Sequence, residues 1–135
     1  MDFSIKTTVV GGGDYRWLGS KHARDTADSC TIDVSLLTAK THYDANGVVP
    51  SGLPLGKVTV SKKYGPFDPA ATDGREVLEG FLLEPVQLEA NFNGLATANA
   101  AGALLRHAII NTAFVPTAPA LSGETKTTGD FVFVK

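Results

Sequence analysis

The chain has 135 residues, 43% of them hydrophobic, with 12 Lys and Arg against 14 Asp and Glu, one Cys and one Trp. One domain of this length buries about two thirds of the surface its unfolded chain exposes, so a core forms without metal or disulfide support. A net charge of −2 gives no long-range pull toward nucleic acid or an anionic membrane, and neither is expected as a partner.

Cys30 has no second cysteine to pair with, and no run of about 18 apolar residues is present. Asp2 and Lys6 interrupt the N-terminus where a signal peptide needs a continuous apolar segment, so synthesis in a cytoplasm is expected. Fourteen Thr, 12 Val and 4 Ile favour pleated sheet over helix, because β-branched side chains lose rotamer freedom in a helix. The expected fold is a mainly β, small single domain of short strands and many loops, with at most one or two short helices and an extended N-terminal arm.

Residues 2–10 (DFSIKTTVV) alternate Phe3, Ile5, Thr7 and Val9 with polar positions, the period of a half-buried strand. Three glycines, Gly11 to Gly13, follow and act as a swivel, so residues 1–13 read as a hinged arm. Residues 14–29 form an extended connector in which Tyr15, Trp17 and Leu18 stand among charged residues. Large aromatics there serve either as an anchor on the chain's own core or as an interface anchor. Residues 30–135 are expected to be the compact β-rich domain.

Within it, residues 31–37 read as a strand, and His42 to Gly47 (HYDANG) as a turn into a second strand. Residues 50–56 hold two prolines and read as an edge or loop, and residues 57–61 as a short alternating strand. Residues 64–74 are dense in turn chemistry, and residues 76–85 are apolar enough for a buried strand. Residues 93–103 are alanine-rich and fit a helix or a loop, residues 103–115 a strand stopped by Pro116, and residues 131–135 a final strand.

No pattern carries catalysis. His22, His42 and His107 lack metal-ligand spacing, and Asp44 begins a calcium-like run whose glycine falls at the fourth position instead of the sixth. No Gly-Lys-Ser/Thr follows the three glycines, and Gly-x-Ser-x-Gly is absent. The acidic residues from Asp68 to Glu89 fit a solvated face. No cofactor, metal or catalytic residue is expected, and the chain reads as a non-enzyme.

Residues 53–86 (LPLGKVTVSKKYGPFDPAATDGREVLEGFLLEPV) resemble the centre of phage head decoration proteins of the lambda type. The likeness lies in a Pro-x-Gly-x-Val strand from Pro54 to Val58, a short strand holding Tyr64, an aromatic–Asp turn leading to Asp73 and Gly74, and a strand with glycine before apolar residues from Gly80 to Leu83. Residues 104–116 are similar to the family's strand before its proline, and residues 14–35 to the N-terminal region of members with longer arms. The resemblance implies a mainly β capsid-decorating protein, usually a homotrimer, at local threefold positions on the outer surface of an expanded virion head. There it would bind the major capsid protein and stabilise the shell against internal DNA pressure. It further implies that the arm adds a strand to capsid elements, which makes Phe3, Ile5, Thr7, Val9 and Val10, with Tyr15, Trp17 and Leu18, the candidate capsid-binding residues. The other reading the sequence supports is a small β-sheet carbohydrate- or ligand-binding module, resting on Tyr15, Trp17 and the acidic stretch.

Overall fold

The structure, a computed structural model, describes residues 14–19, 27–38, 41–44, 47–88, 90–91, 94–95, 99–116, 121 and 125–134. The arm expected over residues 1–13 lies outside them. Eleven short strands are present among the described residues: β1 (Asp28–Ile32), β2 (Val48–Val49), β3 (Pro54–Lys57), β4 (Tyr64–Pro66), β5 (Gly80–Leu82), β6 (Val86–Gln87), β7 (Ala90–Asn91), β8 (Gly94–Leu95), β9 (Ala100–Leu105), β10 (His107–Asn111) and β11 (Asp130–Val134). Among the described residues the helical elements are two three-residue 3-10 turns, Val34–Leu36 and Thr112–Phe114, and the fold is mainly β as the composition predicts.

Strands β1, β4, β3, β5 and β9 close into a barrel in that order. Its joins are antiparallel except β1 to β4, which is parallel. Three two-stranded ribbons complete the sheets, β2–β6 and β7–β8 antiparallel and β10–β11 parallel.

Two apolar clusters explain why the central strands read as unbroken hydrophobic runs. Leu55, Tyr64, Leu82 and Leu104 join Cys30 and Ile32 in one buried cluster. Phe81, Leu83 and Leu105 point the other way, into a second cluster with Trp17, Leu78, Ala108 and Ile110. Strand β5 is therefore buried on both faces, and a strand in that position shows no alternation. The β10–β11 ribbon covers the second cluster: Ala108 pairs with Phe131 and Ile110 with Phe133 on the inward face. Phe131 meets Phe81 edge-on at 5.0 Å between ring centroids.

Several sequence expectations need correction. The strand expected at residues 31–37 ends at Ile32, where Asp33 caps a 3-10 turn by accepting a hydrogen bond from the Ser35 N–H. Of the turn expected before β2, residues 45–46 lie outside the described residues; Gly47 takes φ 74°, and β2 pairs with β6. Residues 54–56, part of the stretch 50–56 expected at an edge or in a loop, join Lys57 in β3, flanked by β4 and β5 in the barrel. Pro54 is tolerated because it opens the strand, where its missing N–H is least costly, while its carbonyl accepts from the Phe67 N–H. Residues 58–63 are the tip of the β3–β4 hairpin and not a strand, with Val60 at 92% exposure. Part of the segment 93–103, read as helix or loop, is strand: β8 and the start of β9. The strand expected over residues 103–115 breaks at Arg106 into β9 and β10, and the closing strand forms as β11.

Candidate functional site

Trp17 fixes the segment 14–19 to the fold. Its indole is fully buried and stacks on Phe81 at 5.6 Å between ring centroids. A buried indole needs a partner for its N–H, and here Nε1 donates to Ser51 Oγ at 2.9 Å. The Ser51 hydroxyl donates onward to the Leu83 carbonyl at 2.6 Å, so one buried polar residue satisfies groups on both sides. Gly52 lies directly against the indole at φ +90°, and a Cβ there would sit 2.6 Å from Trp17 Cγ and Cδ1. Only glycine combines that backbone conformation with that approach.

The residues around Trp17 tie the segment to the end of β10. The Asn111 N–H donates to the Trp17 carbonyl and the Gly19 N–H to the Ile109 carbonyl, both at 2.7 Å, and Leu18 bridges to Ile110 in antiparallel sense. The Tyr15 hydroxyl donates to the Glu84 carboxylate. Arg16 pairs with Asp14 at 2.7 Å and lays its guanidinium over the Phe114 ring, 4.6 Å from the centroid. The side-chain hydrogen bond from Arg16 holds the Asp14 carboxyl down at about 2. Residues 1–13 therefore join the described fold at the end of the β10–β11 ribbon where Phe114 and Val134 also lie, since Asn111 is in register with Val134.

Of the candidate capsid-binding residues, Phe3, Ile5, Thr7, Val9 and Val10 lie outside the described residues. Trp17 takes the core-anchor role: with no exposed surface, it can neither touch a capsid directly nor serve as a stacking platform for a sugar. Leu18 is half-buried and packs on the same cluster, and Tyr15 is half-buried beside Glu84. Sequence reasoning missed Ser51, Gly52 and Phe114, which act across 34 or more residues of separation. Ser51 and Gly52 fall in residues 50–56, which read as an edge or loop, and nothing local marks them as the seat of an indole.

Burial pushes the Cys30 thiol up to about 11, which keeps it protonated and unreactive. His42 accepts a hydrogen bond at Nδ1 from the Thr38 N–H, and burial, with Arg75 nearby, lowers its pKa. It lines a shallow depression of about 240 Å³ with Thr41, Tyr43, Asp44, Val48 and Pro50. Arg106, between β9 and β10, donates to the Tyr64 hydroxyl at 3.1 Å and pairs with Asp28 at 3.2 Å, joining three strands at one end of the barrel. Among the described residues no group of three His, Cys, Asp or Glu side chains gathers to hold a metal ion, and no helix is long and apolar enough to cross a membrane.

No curated protein matches the chain. Residues 25–129 match the family described as bacteriophage lambda head decoration protein D, a span that takes in the whole barrel and both apolar clusters except the Trp17–Leu18 anchor and strand β11 with its Phe131 and Phe133. With a match over most of its length, the chain belongs to the bacteriophage lambda head decoration protein D family.

Proposed function

We propose that the protein binds the outer surface of an expanded phage head, as a trimer at local threefold positions, and stabilises the shell against internal DNA pressure through its N-terminal arm. The observation that carries this reading is the family match over residues 25–129. The buried Trp17 anchor supports it, because an arm that pulls on a shell needs a root that does not slip.

Phe3 to Val9 span roughly 23 Å as a strand at about 3.3 Å per residue, and main-chain hydrogen bonds to a capsid strand supply affinity with little demand on sequence. Ordering the arm costs about 1–2 kcal/mol per residue, so a single arm binds weakly. Three linked arms raise avidity by about 10²–10⁴ where the lattice lets all engage together. The chain's near-neutral charge assigns the contact to shape, strand pairing and multiplicity more than to electrostatic attraction.

Purified protein is expected to co-sediment with expanded heads and not with unexpanded ones, and absence of binding to either overturns the reading. Deleting residues 1–13 is expected to leave folding and oligomeric mass unchanged while weakening head binding. Equal binding by the truncated chain would remove the arm from the mechanism.

A further inference from the structure

Two histidines among the described residues differ in what an added proton meets. His107 Nε2 lies 3.3 Å from the Asp130 carboxylate, so a proton gained there makes an ion pair. His42 is the reverse case. Its Nδ1 accepts the Thr38 N–H at 2.8 Å, which fixes the ring in the neutral form with its own proton on Nε2.

That hydrogen bond closes a turn in which both backbone groups of Thr38 are held. The Thr38 carbonyl accepts from the Thr41 N–H at 3.2 Å and from the His42 N–H at 2.9 Å, while the Thr38 N–H is held by the imidazole. The turn leaves from Leu37 and arrives at Tyr43, both packed in the first apolar cluster. His42, Tyr43 and Asp44 also form one wall of the shallow depression of about 240 Å³. A proton on Nδ1 turns the acceptor into a donor, and two N–H groups then face each other where one hydrogen bond had been.

The charged surroundings act in the same direction. Arg75, paired with Asp73 at 3.0 Å, directs a second positive charge toward the ring. Asp44 lines the same depression, but its Oδ1 already accepts from the Val48 N–H at 3.0 Å. Burial first and Arg75 second hold the His42 pKa below its usual 6.5, so the ring is neutral at pH 7 and takes up a proton only in acid.

We infer that His42 is an acid-operated latch: protonation at Nδ1 opens the Thr38–His42 turn and releases that wall of the depression, while the barrel stays closed. The turn lies between the Val34–Leu36 3-10 turn and β2, outside the five barrel strands, so its opening breaks none of their pairings. The folded ring takes a proton less readily than the unfolded one. The latch therefore contributes fully above pH 6.5 and is lost as the pH falls from there through the folded pKa.

The test is an NMR titration of the full-length chain from pH 7.5 to 4.5, following the His42 ring signals and the exchange protection of backbone amides. The Thr38, Thr41 and His42 amides are expected to lose protection together, by about tenfold per pH unit below the midpoint of the ring's own titration. Leu82 and Leu83, whose N–H groups donate to the Leu53 and Ala103 carbonyls in the barrel, are expected to keep theirs. His42→Asn, whose side-chain oxygen can stand in for Nδ1 and takes no proton in this range, is expected to abolish the acid transition at Thr38. A Thr38 amide unchanged while the ring titrates overturns the inference, as does a ring that stays neutral down to pH 4.5. The same acid transition in His42→Asn also overturns it, because a carboxylate such as Asp44 would then be the cause. Should the Asn variant fail to fold, coincidence or separation of the Thr38 and ring midpoints in the parent decides the matter.

Discussion

Gly52 is pressed against the Trp17 indole so closely that one added carbon would lie 2.6 Å from the ring. The positive φ of Gly52 adds a backbone penalty to that clash. Gly52→Ala is therefore expected to destabilise the fold by about 2–4 kcal/mol, from overpacking together with left-handed strain. Tryptophan fluorescence reports on it directly, because Trp17 is the one Trp in the chain: its emission should shift to the red as the indole is displaced.

Ser51 offers a subtler perturbation of the same anchor. Ser51→Ala removes the hydroxyl that accepts from the indole and donates to Leu83, leaving two buried polar groups unmet. A cost of about 1–3 kcal/mol is expected in urea unfolding. Because packing around Trp17 is preserved, head binding by the folded fraction should be unchanged.

Cys30 predicts a pH dependence. Its folded pKa, raised to about 11 by burial, stands above the value of 9.0 for an unperturbed thiol. The folded state thus keeps its proton where the unfolded state has lost it, so stability is undiminished below pH 9 and declines as the pH rises from 9 to 11. Cys30→Ala should flatten that decline. Thiol reagents at pH 8 should label the native chain slowly and the urea-unfolded chain at once.

Arg106 separates a part-buried contact from an exposed one within the same side chain. Tyr64→Phe, which removes the hydroxyl that Arg106 reaches, is expected to cost about 1 kcal/mol. Asp28→Asn should cost less than about 0.5 kcal/mol, because that ion pair is largely in solvent and its attraction is screened. Adding salt should change the stability of neither variant relative to the parent by a measurable amount.

What the residues announced was the mainly β character and the closing strand, where Phe131 and Phe133 alternate with Val132 and Val134 and the pattern survives in the ribbon. What they concealed was set by contacts distant in sequence. The β9 segment is rich in alanine and glycine because it lies close against its neighbours: a Cβ on Gly102 would come within 2.8 Å of Leu82 Cδ1. Composition suited to tight strand packing looks, read locally, like composition suited to a helix. Pro54 misled for a related reason, since its tolerance depends on standing first in β3. At the candidate site, Trp17 was legible as an anchor, but its seat on Ser51 and Gly52 was not, and that seat decides that the indole faces inward.

Closure of the five-stranded barrel has a consequence for how such molecules behave in a crowd. A sheet that returns to its own first strand presents no row of idle N–H and C=O groups to a neighbouring molecule, which removes the usual template for edge-to-edge aggregation. The β2–β6 and β7–β8 ribbons are two residues long in each strand, too short to recruit a foreign strand firmly. The β10–β11 ribbon, five residues in each strand, is the longest sheet outside the barrel among the described residues, so edge-to-edge pairing between copies falls to it and not to the barrel.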